Sequence, residues 1–245
     1  MKRAFPILAV ITAALLVYAF YEAIWVAPME RTMGDVQRIF YYHVPSAWTA
    51  FLLFTVNLVA SVIYLIWRNA KADALAVVSA EVGVVFCTVV LVTGPIWARP
   101  VWGIWWTWDV RLTTTLVLWL IYVSYLVLRR FSDSSQTPKL AAVLAIFGAL
   151  DVPLVYFSIW FFRTQHPQPV IGGGGSIDPR MFHVLLINWL AFSCFAFLVC
   201  WSRYRLEWLH REVEEAQAIE SLHGDVLPAP QVSIPLSNAS KPAGS

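Results

Sequence analysis

Two histidines sit in unusually aromatic surroundings. His43 stands in the run Arg38-Ile-Phe-Tyr-Tyr-His-Val-Pro-Ser-Ala-Trp48, and His166 in Trp160-Phe-Phe-Arg-Thr-Gln-His-Pro-Gln-Pro-Val170. A lone histidine of this kind is more often an interfacial hydrogen-bonding group than a ligand. Neutral imidazole is nonetheless a common iron ligand, and haem takes one or two of them axially. Between the two lies a stretch that holds five of the 13 tryptophans, Trp97, Trp102, Trp105, Trp106 and Trp108. Tryptophan favours membrane interfaces, so an aromatic belt and a bed for a large planar ligand are about equally good readings of the composition. A belt would spread its rings over several helix ends, whereas here one segment is loaded. If Pro100 opens a helical turn, Trp102, Trp105, Trp106 and Asp109 share one face and form a flat platform. A tetrapyrrole held between two imidazoles and lying on indoles is the chemistry that uses all three segments together.

The elements that must carry these segments are membrane helices. Only 13% of the 245 residues are charged, against about a quarter in soluble domains, and 59% are hydrophobic. Six apolar runs, Phe5–Tyr21, Ala47–Trp67, Ala74–Trp97, Leu112–Leu128, Leu140–Phe162 and Met181–Trp201, each approach the ~20 residues that span a bilayer. The expected fold is an all-α integral membrane protein of six transmembrane helices. Met1-Lys2-Arg3 resembles the start of a signal peptide, but Tyr18, Phe20 and Tyr21 occupy the place of a cleavage site, which predicts a retained helix. Eleven of the 17 Lys and Arg residues fall on the side of the N-terminus, which predicts both termini inside. By parity, the segments after the first, third and fifth spans share the outer face, and any site lies there.

Domain boundaries follow from the same patterning. Residues 1–205 read as the membrane domain, with the tryptophan segment at 97–113. Residues 206–223 read as a juxtamembrane helix with Leu206, Leu209, Val213 and Ala216 on one face, and 224–245 as a disordered tail rich in Pro, Ser, Ala and Asn. A net charge of +2 without a basic stripe argues against nucleic acid as a partner. Cys87, Cys194 and Cys200 form neither a CxxC pair nor a CxxCH site, and the chain has no phosphate-binding loop of the GxxxxGK[ST] type.

Other polar residues carry weaker signals. Arg99 and Arg111 flank the tryptophans and suit anionic carboxylates, with interfacial anchoring or an Arg111–Asp109 contact as the equal alternative. His183 also lies at an outer helix end, but its neighbours Met181, Phe182 and Val184 mark the start of a span. Glu81 and Asp151 are ionisable groups inside apolar runs. Glu81 is close enough to the inner end to reach water, while Asp151, two residues before Pro153, predicts a polar contact or a kink. His210 and His223 fall on the inner tail.

The segment Trp102-Gly-Ile-Trp-Trp-Thr-Trp-Asp-Val-Arg-Leu-Thr113 resembles the "WWD" signature of haem-handling proteins in cytochrome c maturation. The two histidine segments and Val152-Pro-Leu-Val-Tyr-Phe-Ser158 resemble the CcmC family in particular, over roughly residues 5–205. The tail after about Arg205 and the run Gly172–Gly175 lie outside the segments that carry this resemblance. The resemblance implies a multi-pass protein of the bacterial cytoplasmic membrane that binds b-type haem non-covalently at its periplasmic face. It implies delivery to the haem chaperone CcmE, alongside the ABC transporter CcmA/CcmB and the small protein CcmD. His43 and His166 would be the axial ligands, and Trp102, Trp105, Trp106, Trp108 and Asp109 the platform. The competing implication is a haem lyase of the CcsA or CcmF kind; such relatives are longer, and a lyase must also seat an apocytochrome segment. A third reading, a bis-histidine membrane cytochrome, calls for a histidine pair within the bilayer, which the runs lack.

Overall fold

The computed structural model describes residues 4–132, 134–162, 164–166 and 177–224. Of the disordered tail expected over 224–245, Gly224 is instead the last residue of the sixth helix, and 225–245 lie outside the described residues, as does the run Gly172–Gly175. Six helices follow in order: α1 (Ala4–Tyr21), α2 (Phe40–Trp67), α3 (Ala70–Trp102), α4 (Val110–Phe131), α5 (Thr137–Phe161) and α6 (Pro179–Gly224). A π-helical turn, Glu22–Val26, extends α1, and a 3₁₀ turn, Asp35–Ile39, leads into α2. No strand occurs among the described residues, and six helices are long and apolar enough to cross a membrane. In hydrocarbon every backbone polar group must find its partner within the segment, and a helix does this for runs of Leu, Val, Ala and Phe.

Local chemistry sets the helix ends. Asn69 caps α3 by accepting from the Lys71 and Ala72 amides at 2.9 and 3.2 Å, one residue after Arg68 turns the chain with φ of 53°. At the other end of α3 the chain stops at Gly103, whose φ of 78° is open to glycine at little cost, and its N–H bonds to the Arg99 carbonyl. Helix α3 therefore runs through Pro100. The expectation that Pro100 opens a new turn is corrected: Trp102 is the last helical residue, residues 103–109 are non-helical, and Trp105, Trp106 and Asp109 share no helical face with it. At 33 residues α3 is about 50 Å long, well beyond the ~30 Å hydrocarbon core, so part of it must extend past the apolar layer.

Residues 1–208 form one compact unit, centred on α2 and α3 with α4 and α5 against them. Small residues permit close approach. A Cβ on Gly83 would lie 2.7 Å from the Phe54 ring, and one on Gly148 would lie 2.8 Å from Ile121. Phe54 and Tyr122 stack with centroids 3.9 Å apart. Buried polar bonds tie the helices together: Asn57 Nδ2 donates to the Ala76 carbonyl at 2.7 Å, and Trp119 Nε1 to Thr88 Oγ1 at 2.8 Å. Asp73 and Arg129 form a bidentate pair at 2.7 and 2.8 Å. Glu81 is likewise paired, with Arg203 at 2.8 and 2.9 Å, which corrects the expectation that it simply reaches toward water. Asp151 Oδ2 is buried with no hydrogen-bond partner among the described residues. The second unit begins at Leu209 and holds a His210–Glu214 contact of 3.0 Å. Helix α6 runs without a break to Gly224 and includes the 206–223 segment.

Candidate functional site

The segments between α1 and α2, α3 and α4, and α5 and α6 meet at one end of the first unit. Between them lies a cavity of about 900 Å³, with an apolar side lobe of about 190 Å³. His43, His166, Arg111, Met33 and Trp97 line both. Trp102 and Trp106 wall the side lobe, and Trp48 and Tyr156 the larger space.

His43 belongs to the first turn of α2 and is only 8% exposed. Its Nδ1 lies 2.9 Å from Thr93 Oγ1, and that hydroxyl donates its own proton to the Val89 carbonyl at 2.6 Å. With the hydroxyl proton committed, Thr93 can only accept, so Nδ1 carries the imidazole proton. Nε2 is left with a free lone pair, the state a metal or haem iron requires. Trp97 packs edge-on against the ring at 5.8 Å, and a Cβ on Gly94 would lie 3.5 Å from His43 Cε1. The imidazole is thus fixed in both tautomer and orientation.

His166 follows α5 on a short connecting stretch. Thr164 Oγ1 donates to the His166 carbonyl at 3.2 Å, and the Gln165 N–H donates to Asp109 Oδ2 at 3.0 Å. The same carboxylate caps α4, accepting from the Leu112 N–H at 2.9 Å through Oδ1 and from Thr107 Oγ1 at 3.2 Å through Oδ2. Both oxygens of Asp109 are occupied by the protein.

Arg111 lies in the first turn of α4, and its Nη1 is buried with no hydrogen-bond partner among the described residues. The indole N–H groups of Trp97 and Trp106 are buried and unpartnered in the same way. A guanidinium and two indole donors facing an otherwise apolar space suit an anionic oxygen on the occupant. On the α1–α2 side, Glu30 accepts from the Met33 and Thr32 amides, which bends 30–34 and brings Met33 to the cavity. The Met33 amide first, then that of Thr32, holds the Glu30 carboxyl below its ordinary pKa. Asp178 and Arg180 pair at 2.9 Å on the rim. Among the described residues no three His, Cys, Asp or Glu side chains gather as in a polydentate metal centre. Among the described residues, His43 and His166 are the imidazoles lining the cavity.

A family model for Heme exporter protein C matches residues 1–219. This chain belongs to the heme exporter protein C family. Similar relatives include the Heme exporter protein C of Bradyrhizobium diazoefficiens, 35% identical over 222 residues, covering 89% of this chain and 84% of that one. The Escherichia coli K12 protein of the same name is 34% identical, over 79% of this chain and 77% of its own. A putative cytochrome c biosynthesis ccmC-like mitochondrial protein of Marchantia polymorpha is 34% identical, over 74% and 76%.

In this member of the heme exporter protein C family, the sequence-predicted residues divide into two sets. His43, His166, Arg111, Trp102 and Trp106 converge on the cavity. Trp105 and Trp108 point outward, 59% and 76% exposed, although Trp108 touches Trp106 edge-on at 5.7 Å. The exposed Arg99 turns its guanidinium to the Gly103 carbonyl and closes the end of α3. Arg111 and Asp109 form no ion pair among the described residues; the Asp109 oxygens accept from the backbone and Thr107 instead. His183 is exposed and does not line the cavity. Sequence reasoning missed Met33, Thr93, Trp48 and Tyr156. Trp48 and Tyr156 stand within the aromatic runs quoted above, whereas Thr93 reaches His43 from another helix, 50 residues away. Met33 is delivered by a turn that no spacing announces.

Proposed function

We propose that this chain holds haem at the outer face of the bacterial cytoplasmic membrane and passes it to the periplasmic chaperone CcmE during c-type cytochrome assembly. The observation that carries the reading is the single cavity onto which His43 and His166 both open. At about 900 Å³ it falls within the ~300–1,000 Å³ common for small-molecule and cofactor sites. His43 offers Nε2 to the iron and His166 offers a second imidazole nitrogen, as in bis-histidine b-type haem. Trp48 and Trp97 give aromatic walls to the macrocycle, Trp102 and Trp106 line the adjoining lobe beside it, and Arg111 supplies the positive charge that a propionate needs. Haem is the cargo. The exposed indoles of Trp105 and Trp108, on the same segment as the wall of the cavity, are placed to meet the receiving partner. CcmA, CcmB and CcmD would complete the assembly and supply the nucleotide chemistry for which this chain has no phosphate-binding loop.

The test is a coordination spectrum of the purified, haem-loaded protein. His43→Gly and His166→Gly should each lose the six-coordinate form, and added imidazole should restore it by entering the vacated position. His183→Gly should keep the wild-type spectrum. Retention of bis-histidine ligation in either of the first two variants would remove that residue from the ligand set, and loss of it in His183→Gly would move the second ligand to α6.

A further inference from the structure

Asp109 is the point at which the tryptophan segment and the His166 segment touch. Its Oδ1 accepts from the Leu112 amide and starts α4, while its Oδ2 accepts from the Gln165 amide, 56 residues away in sequence. Arg111, two residues along, lines the cavity, as does Trp106, three residues before. His166 follows Gln165 directly and lines the same cavity. Both carboxylate oxygens accept from the protein, and Asp109 does not line the cavity.

We propose that Asp109 is a positioning residue, a latch whose carboxylate joins the tryptophan segment to the His166 segment and so holds this imidazole against the cavity. The proposal rests on the haem reading above, and it gives the two ligands different supports. His43 is fixed within a helix by Thr93 and Trp97. His166 is held in part through the backbone of its neighbour, by a charged acceptor on the tryptophan segment, beside its own bond from Thr164. Opening the Asp109–Gln165 contact would loosen the His166 segment while leaving His43, Arg111 and the indole walls in place. Asp109 is thereby a specific control point for the second ligand, rather than part of the surface on which the macrocycle lies.

Two variants separate the latch from the cap. Serine and asparagine both serve well at an N-cap, so Asp109→Ser and Asp109→Asn keep an acceptor for Leu112. Serine is too short to reach Gln165, and asparagine has only one acceptor oxygen to divide between the two amides. In haem-free protein, hydrogen–deuterium exchange at the Gln165 amide should quicken about tenfold, the scale of losing a hydrogen bond to a charged group. Exchange at Leu112 should stay as in the wild type. With haem bound, Asp109→Ser should lose the six-coordinate spectrum and regain it with imidazole, as His166→Gly does. Adding Asp109→Ser to His166→Gly should cost no further haem. Unchanged exchange at Gln165 in the serine variant overturns the latch. Faster exchange with an intact six-coordinate spectrum overturns its positioning role, and additional haem loss in the double variant returns Asp109 to direct contact with the cargo. If His166→Gly itself keeps bis-histidine ligation, the ligand assignment fails on its own, and the exchange data still report whether the latch exists.

Discussion

Replacing Thr93 by valine tests whether the tautomer of His43 is set by the protein. Valine matches the shape of threonine and removes only the hydroxyl. In the wild type the chain of bonds runs from His43 Nδ1 to Thr93 Oγ1 at 2.9 Å and on to the Val89 carbonyl at 2.6 Å. Without the hydroxyl, a buried Nδ1–H loses its acceptor, or the proton moves to Nε2 and blocks the nitrogen meant for iron. An unsatisfied buried donor costs about 1–3 kcal/mol, which corresponds to roughly 5- to 150-fold in affinity. That range overlaps the ~10–100-fold loss typical when the residue orienting a metal-bound histidine is removed. Titration of haem into the detergent-solubilised protein, followed by absorbance, measures the effect. Thr93→Val should fall in this range, while Thr93→Ser, which keeps the hydroxyl, should bind like wild type. In a His43→Gly background Thr93→Val should change nothing further, because its effect runs through His43 alone. Wild-type affinity in Thr93→Val would refute the tautomer argument, and a loss that persists in the His43→Gly background would assign Thr93 to packing of α3.

The tryptophans should separate by position: Trp102→Ala with Trp106→Ala should weaken haem retention, since each buried aromatic contact adds about 0.5–1.5 kcal/mol beyond its area. Trp105→Ala with Trp108→Ala should instead preserve retention and slow transfer to CcmE, measured as haem loading of the chaperone; equal retention losses from both pairs would deny the division between wall and rim. Topology is checked by reporter fusions, with Ser134 expected on the cytoplasmic side and Gly174 on the periplasmic side, and the reverse pattern at either position would place the cavity on the wrong face.

The sequence by itself determined the six spans. Hydrocarbon admits only segments that satisfy their own backbone, so twenty-residue apolar runs leave one choice of structure. It also determined which residue types are concentrated at one end, because parity places the segments after the odd-numbered helices together. Helix ends were less legible. Pro100 suggested a start, but its fixed φ is compatible with continuing α3, and the chain turned only where Gly103 allowed a positive φ. The tertiary structure decided which tryptophans face inward, since 103–109 follows no helical period from which a face could be read. It also decided the partners of charged residues far apart in sequence, Glu81 with Arg203 and Asp73 with Arg129, because these depend on which helices are neighbours. The supports of the two histidines belong to the same class. Thr93 is 50 residues from His43, and Asp109 is 56 from Gln165. Such bonds depend on how helices pack across the bundle, and local spacing carries no record of that packing.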